Sequence, residues 1–230
     1  MEEPKNDEPK GELLRLRLKP GYEETRTFEG KARIELDGGD PITQQINMRV
    51  TAKVQRVDGD VYEILLEPSP ITVQQEGQPD QSGLLTEEPA VVDVDTRGRL
   101  LTPTNALVST LQTIGYVPLP EKRILPGAKW SLSGERSWPL LGNVSVRETF
   151  IYRGAEKLEG RKVHHIDQLV KGSISSIKTE ASYYLDADTG TLRSGEVRIS
   201  GKIEIPGPDG SKSPAEVSIR LTIRKIEPPV

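Results

Sequence analysis

A two-residue alternation of apolar and charged residues recurs along the chain and constrains its fold more than any other feature. Leucine alternates with arginine or lysine over residues 14–19, and similar alternations cover residues 28–36 and 197–205. Successive side chains of a β-strand point to opposite faces, so this pattern is typical of a sheet with one apolar and one solvated face. The sequence therefore predicts an all-β protein.

The composition excludes several classes of function. No cysteine occurs among the 230 residues, which excludes disulfides, thiolate metal sites and thiol catalysis. The formal net charge is -4. Nucleic-acid-binding proteins usually carry a net positive charge or a basic stripe, so we expect no nucleic-acid partner. No stretch reaches the roughly 20 apolar residues of a membrane-spanning helix.

The first residues have the composition of a linker. Residues 1–12 are acidic, contain proline and carry no apolar residue after Met1, so we expect a disordered linker there. Met1 is hypothesised to be an expression start that follows a removed targeting segment. Any membrane association would then occur only through such an N-terminal anchor.

Residues 13–230 are expected to form a single all-β domain. Strand candidates, beginning with residues 13–19, follow one another with turn signals such as Asp58-Gly59 and Glu159-Gly160 between them. Many of these candidates exceed the usual strand length of about 5–6 residues. Long antiparallel strands with one solvated face predict a strongly curved sheet, either a half-barrel or a barrel.

One segment has helical rather than strand periodicity. Thr104 is a suitable N-cap, and Leu107, Leu111 and Ile114 follow at spacings of four and three residues. Gly115 is a suitable end. The sequence predicts a short amphipathic helix at 104–114 that packs on the apolar face of the sheet.

The order of landmarks suggests two related halves, 13–102 and 126–227, joined by the helix-containing linker. Each half has a Pro-Gly pair, then paired strands, then an acidic residue before glycine at a hairpin. Each half later has an aspartate-containing turn, at 95–100 and at 188–192. Chance likeness among turns is the alternative, because turn residues come from a small set.

The only two histidines, His164 and His165, are adjacent, so in a strand they point to opposite faces and cannot chelate one metal together. His165 and Asp167 share a face, but no Gly-x-Ser-x-Gly elbow supplies a nucleophile. Each histidine is therefore expected to be a surface or edge residue whose polar atoms are satisfied. The sequence predicts no catalytic residue and no metal ligand.

Two Asp-x-Asp pairs, Asp93/Asp95 and Asp186/Asp188, are candidates for calcium binding or acid–base chemistry. The second pair begins like a calcium loop, but glycine stands at the fifth position and valine at the twelfth, where ligands are needed. Hydrogen bonding of the aspartates within turns is the favoured interpretation.

Three sets of landmarks carry a family resemblance: residues 14–19 running into Pro20-Gly21, Pro126-Gly127 with Trp130 shortly after, and residues 183–186 leading into 188–192. With these landmarks, residues 13–227 resemble uncharacterised bacterial cell-envelope β domains that are often found on lipoproteins. More distantly, the chain is similar to the periplasmic lipoprotein-carrier half-barrels, in which helices close a curved sheet over an apolar concavity. The chain departs from those carriers in having a single predicted helix. The resemblance implies an extracytoplasmic location and no catalytic residues.

The predicted function is a non-enzymatic extracytoplasmic binding or scaffold domain without cofactor, which holds a lipid or another apolar ligand on its concave face. Alternatives are a structural or protein-interaction module of the cell envelope and a hydrolase on a β scaffold. The expected partner is an apolar ligand or an envelope protein, and the oligomeric state stays open. The candidate ligand-contacting residues are Leu14, Leu16, Leu18, Phe28, Ile34, Trp130, Leu132, Ile199 and Ile203.

Overall fold

The computed structural model of the protein describes residues 11–36, 39–75, 77, 88–101, 116–138, 142–172, 176–206 and 212–227. These residues form strands and turns and contain no helix. The helix predicted at 104–114 lies outside them, as do residues 1–10 of the expected linker. The strands are β1 (Glu23–Leu36), β2 (Ile42–Asp58), β3 (Val61–Pro68), β4 (Thr72–Gln75), β5 (Ala90–Asp95), β6 (Lys129–Trp138), β7 (Gly142–Leu158), β8 (Arg161–Gly172), β9 (Ile177–Asp186), β10 (Leu192–Pro206) and β11 (Lys212–Ile226).

All eleven strands belong to one antiparallel sheet, which confirms the predicted fold class. The order is β5-β3-β2-β1-β11-β10-β9-β8-β7-β6, and β4 pairs with the first part of β2. Strands β1–β3 and strands β6–β11 each form a meander, and the pairing of β1 with β11 joins the two; β5 pairs with β3. Among the described strands the sheet is open, with β5 and β6 at its edges, so these strands do not close into the barrel that was one of the two predicted forms.

Residues 116–120 lie between the two edges of the sheet. Leu119 donates its N–H to the Arg97 carbonyl next to β5, at 2.8 Å. The Trp130 indole N–H on β6 donates to the Pro118 carbonyl, also at 2.8 Å. Residues 116–120 therefore connect the β5 edge and the β6 edge through hydrogen bonds. The sheet is curved, and its two edge strands do not pair with each other.

The strands are long and locally bent. Strands β2 and β7 have 17 residues each, against a usual length of about 5–6. Each carries one β-bulge, between Val54 and Arg56 in β2 and between Tyr152 and Gly154 in β7. A bulge bends a strand and increases its twist, which suits a strongly curved sheet.

Residues 13–19, which we call the inner segment, are extended but do not belong to the sheet, so the strand predicted there is wrong. Leu16 donates its N–H to the Thr96 carbonyl at 2.7 Å, and Arg17 donates to the Thr189 carbonyl at 2.8 Å. The Tyr62 hydroxyl donates to the Leu16 carbonyl at 2.9 Å. Alternation shows that one side of an extended segment is buried, but it does not show whether the backbone pairs with neighbouring strands. The buried leucines of the inner segment are Leu14, Leu16 and Leu18.

Two sets of turn contacts recur in the two halves of the chain. The first set begins at a Pro-Gly pair in each half. The glycine and the residue after it form backbone hydrogen bonds with the residue just before the β-bulge of a long strand. In the second set, an aspartate closes a turn in each half, and a backbone carbonyl of that turn accepts a hydrogen bond from the inner segment. The duplication itself stays a prediction. The first set consists of Gly21 N to Val54 O (2.9 Å), Val54 N to Tyr22 O (2.9 Å), Gly127 N to Tyr152 O (2.7 Å) and Tyr152 N to Ala128 O (3.0 Å).

The main core lies between the inner segment and the sheet. Its most deeply buried members include Phe150, Ile166 and Ile223, whose side chains are fully enclosed. We call the sheet face that carries these residues the inner face, and the opposite face the outer face. A second, smaller cluster on the inner face is formed by Ile203, Ala215 and Val217.

Candidate functional site

The strand registers place inner-face residues side by side in rows across the sheet. The row next to the inner segment is filled by large buried side chains, among them Phe28, Ile223 and Tyr183. Further along the strands, the rows combine small residues with apolar side chains that keep part of their surface exposed. We call the row that runs from Ala32 to Leu132 the middle row. Its members are Ala32, Ile219, Ile199, Thr179, Val170, Glu148 and Leu132.

Partly exposed apolar side chains around the middle row form the candidate site. Trp130, Leu132, Ile199 and Leu221 pack against the main core without being fully buried, and Ile219 does so against the second cluster. Contiguous apolar surface that stays accessible commonly marks a binding site.

Around the middle row, small residues leave the inner face with few projecting side chains. Gly30 and Ala32 on β1 face the same side as Ala181 on β9. At Gly134 on β6, an added Cβ would have no described atom within 4 Å. A sheet face that bends around small side chains leaves room for a guest molecule.

The residues predicted from the sequence divide into two groups. Leu14, Leu16, Leu18 and Phe28 are buried in the main core, and Ile203 is buried in the second cluster. Ile34, Trp130, Leu132 and Ile199 retain partial exposure on the inner face. Only the second group is accessible to a ligand without rearrangement of the core.

A hydrogen-bonded chain of polar side chains crosses three strands of the inner face. The Tyr183 hydroxyl donates to Gln168 Oε1 at 2.8 Å, and Gln168 Nε2 donates to Glu148 Oε1 at 3.3 Å. All three residues are buried, with Glu148 only 3% exposed. Burial and the nearby Glu148 carboxylate raise the pKa of the Tyr183 hydroxyl, which therefore stays a donor. The sequence analysis did not predict this hydrogen-bonded group, although Glu148 and Gln168 stand at alternating positions that face the core.

A second polar group, which we call the interior ion cluster, consists of Glu24, Arg26 and Lys225. The Glu24 carboxylate binds the Arg26 guanidinium and lies 3.2 Å from Lys225 Nζ. The Tyr22 hydroxyl donates to Glu24 at 2.8 Å, and Arg26 lies 5.2 Å from the centroid of the Tyr116 ring. Burial raises the pKa of Glu24, but the two cations outweigh burial and hold that pKa below its usual value.

The two histidines lie on opposite faces, as predicted. His164 is buried, so the surface or edge position expected for it is wrong, and its Nδ1 lies 2.9 Å from the Tyr152 hydroxyl. Burial lowers the pKa of His164, so a neutral ring is favoured inside the protein. His165 lies on the outer face between two carboxylates, 3.3 Å from Glu156 and 3.1 Å from Asp167.

One aspartate of each pair, Asp95 and Asp186, accepts hydrogen bonds within a turn, which confirms the favoured interpretation for these two residues. The Asp186 carboxylate accepts the backbone N–H groups of Asp188 at 2.9 Å and Thr189 at 3.0 Å. Burial raises the pKa of Asp186, but these hydrogen bonds outweigh burial and lower it. In the equivalent turn, Asp95 accepts two backbone N–H groups at 2.9 Å each.

Among the described residues, no group of three or more His, Cys, Asp or Glu side chains is arranged to hold a metal ion. The same part of the chain contains no helix of the length and apolarity that a membrane crossing requires. No protein-family model matches the sequence, and no curated protein matches it significantly.

A solved structure shares the fold. A structure on lipid–protein interactions in lipovitellin is similar over 93% of this chain, with a TM-score of 0.54 and 9% identity. The match covers 26% of the lipovitellin chain, so this protein spans about a quarter of that length. At 9% identity, the likeness to lipovitellin is one of fold alone.

Two further structures have lower TM-scores and support no inference. The hypothetical lipoprotein YmcC from Escherichia coli (K12) has a TM-score of 0.33 and 13% identity, and the match covers 88% of this chain and 85% of YmcC. DynF, from the dynemicin biosynthesis pathway of Micromonospora chersina, has a TM-score of 0.28 and 8% identity, over 95% of this chain and 87% of DynF.

Proposed function

We propose that this protein is a non-enzymatic domain that binds a lipid on its inner face and acts outside the cytoplasm, in a bacterial cell envelope. The observation that carries the proposal is the set of partly exposed apolar side chains around the middle row. The lipovitellin structure concerns lipid–protein interactions, and its fold likeness is compatible with this proposal. The envelope location rests on the family resemblance of the sequence.

The ligand contacts are assigned to the middle row and its neighbours. The acyl chain would lie against Leu132, Ile199, Ile219 and Leu221, all of which retain accessible surface. Ile199, Ile219 and Leu221 are neighbours on β10 and β11, and Leu132 lies in the same row on β6, with three strands between β6 and β10. The leucines of the inner segment are excluded from this role, because they already pack in the main core. Covering about 100 Å² of apolar surface is worth roughly 2.5 kcal/mol before the costs of binding are subtracted.

An enzymatic role has less support from the geometry. Asp95 and Asp186 are committed to turn hydrogen bonds. Beside the His165/Asp167 pair, the Ser182 hydroxyl donates to Asp167 at 2.7 Å. A serine nucleophile must instead donate to the histidine that takes its proton. An Asp93→Asn variant with unchanged melting temperature and lost activity would favour the hydrolase.

Native mass spectrometry of the purified protein, before and after organic extraction, tests the proposal. A lipid-sized mass that disappears on extraction supports it. Protein that carries no ligand and binds no fluorescent apolar probe such as N-phenyl-1-naphthylamine contradicts it. If the protein binds no probe but captures one envelope protein reproducibly, the interaction-module alternative gains support.

A matched pair of variants locates the binding surface. Ile199 and Ser200 are neighbours on β10, Ile199 on the inner face and Ser200 on the outer face. Ile199→Asn is expected to weaken probe binding at least fivefold, whereas Ser200→Asn leaves it unchanged. Equal effects of the two substitutions would contradict the assignment of the site to the inner face.

A further inference from the structure

We infer that the outer face docks on an anionic membrane surface through two neighbouring rows of cations. The inference goes beyond the proposed function and does not depend on it, because the inner face takes no part in the docking. It also departs from the expectation that membrane association occurs only through an N-terminal anchor.

Cations stand directly opposite each other in two runs on the outer face. The first run crosses β1, β11 and β10, and the second crosses β9, β8 and β7. Like charges that are directly opposite each other destabilise a sheet, so the stability of the fold explains neither run. An anionic partner would offset the repulsion in both. The first run is Lys31, Arg220 and Arg198, and the second is Lys178, Lys171 and Arg147.

The two runs belong to neighbouring rows, which we call the basic rows. Arg33, two residues after Lys31 on β1, lies in the row of the second run. The first row continues from Arg198 to Glu180 and Leu169. Together the basic rows cross six strands from β1 to β7 in sheet order, or about 24 Å at the usual spacing of strands. Among their described residues, seven cations accompany one carboxylate.

Ion pairs offset only part of this charge. Four of the seven cations contact a carboxylate of Glu35, Glu180 or Glu196. Ion pairs at the surface contribute little and are screened by salt, so they leave the rows positive. The other three cations form no ion pair within the part of the chain that the structure describes: Lys31, Lys171 and Arg147.

The positive charge forms a stripe, because the adjoining row toward Thr27 on β1 is acidic. That row contains Glu29, Glu196 and Asp167. The seven cations still outnumber the carboxylates of the basic rows and the acidic row together. A partner that rests on the stripe therefore meets a positive surface.

A membrane of anionic phospholipids is the partner that these rows fit. It presents many phosphates over a wide area, which matches a stripe of about 24 Å better than one small anion does. Leu169 is 40% exposed within the first row, and apolar contact adds to electrostatic attraction at a membrane interface. Nucleic acid fits less well, since the described residues of the basic rows include no aromatic side chain on which bases could stack.

Co-sedimentation of the purified protein with vesicles tests the inference. Wild type should bind vesicles of phosphatidylcholine with phosphatidylglycerol but not of phosphatidylcholine alone, and binding should weaken as NaCl rises from about 0.05 M to about 0.5 M. In the double variant Lys171→Gln/Arg147→Gln, binding should fall by about tenfold or more, since each cation near an anionic membrane contributes about fivefold. The control is Lys122→Gln/Lys157→Gln, which removes two exposed cations outside the basic rows and should keep the wild-type affinity.

A variant with the opposite effect keeps the test decisive if the double variant does not fold. Glu180→Gln removes the one carboxylate among the described residues of the basic rows and should strengthen binding about fivefold. No binding to anionic vesicles, equal losses in the double variant and its control, or tighter binding to an oligonucleotide than to anionic vesicles would overturn the inference. Ile199→Asn on the inner face should bind vesicles like wild type. If vesicles bind but no apolar probe does, the proposed function fails and this inference stands.

Discussion

The inner segment is an integral part of the core, and replacing Leu16 with alanine tests this directly. Leu16 is 4% exposed and lies between the sheet and two turns that bond its backbone and that of Arg17. Removal of a buried leucine side chain costs about 3–4 kcal/mol when the surrounding core cannot collapse into the space. For a domain of this size, that loss corresponds to a decrease in melting temperature of about 6–15 °C.

Urea unfolding followed by circular dichroism measures the change in the free energy of unfolding. Leu169→Ala is the matched control, because Leu169 is 40% exposed on β8 and its replacement should cost about 1 kcal/mol or less. If Leu16→Ala loses less than about 1 kcal/mol, the inner segment is a loosely held strap rather than core. The assignment of the ligand site to the middle row would then have to be reconsidered, because residues 13–19 could move aside.

Three further predictions concern buried polar groups. Glu24→Gln should destabilise the protein by about 3–5 kcal/mol, because it leaves the buried cations of the interior ion cluster uncompensated, whereas Glu23→Gln on the outer face should be nearly neutral in the same unfolding assay. Asp186→Ala should lower the melting temperature at pH 7. Since the pKa of Asp186 is lowered in the folded protein, its carboxylate stabilises the fold above the usual pKa of 3.8, and the difference between wild type and variant should shrink as the pH falls below about 4. The lowered pKa of His164 means that the unfolded chain binds a proton more readily, so wild-type stability should decrease as the pH falls below about 6.5. His164→Gln should show a smaller decrease between pH 7 and pH 5, and an unchanged slope would contradict the structural role of the neutral ring.

The alternation of apolar and polar residues along the strands predicted much of the fold and several details of the site. It indicated sheet, placed Phe28, Ile199 and Ile203 on the inner face, and separated His164 from His165. Turn chemistry correctly explained Asp95 and Asp186. These predictions succeeded because side-chain alternation and Asx-type turns are local properties, determined by neighbours a few residues apart.

The remaining features depend on contacts between distant parts of the chain. Parity alone does not tell an inner segment from an edge strand, since both bury every second side chain. The pairing of β1 with β11 joins residues about 190 apart in the chain, and no local pattern encodes it. Glu24, Arg26 and Glu148 carried a readable signal, because they are charged residues at positions that face the core. The ion pair of Glu24 with Arg26 and the hydrogen bond of Glu148 with Gln168 became apparent only in the structure.

The most direct test of the central claim is cross-linking with a lipid that carries a photoreactive group on its acyl chain, followed by peptide mapping. The account predicts cross-links to inner-face residues of β6, β10 and β11, at Leu132, Ile199, Ile219 and Leu221, and their loss when unlabelled lipid competes. Cross-links confined to the outer face, or cross-links that excess lipid does not reduce, would contradict the claim that the inner face is a lipid-binding surface.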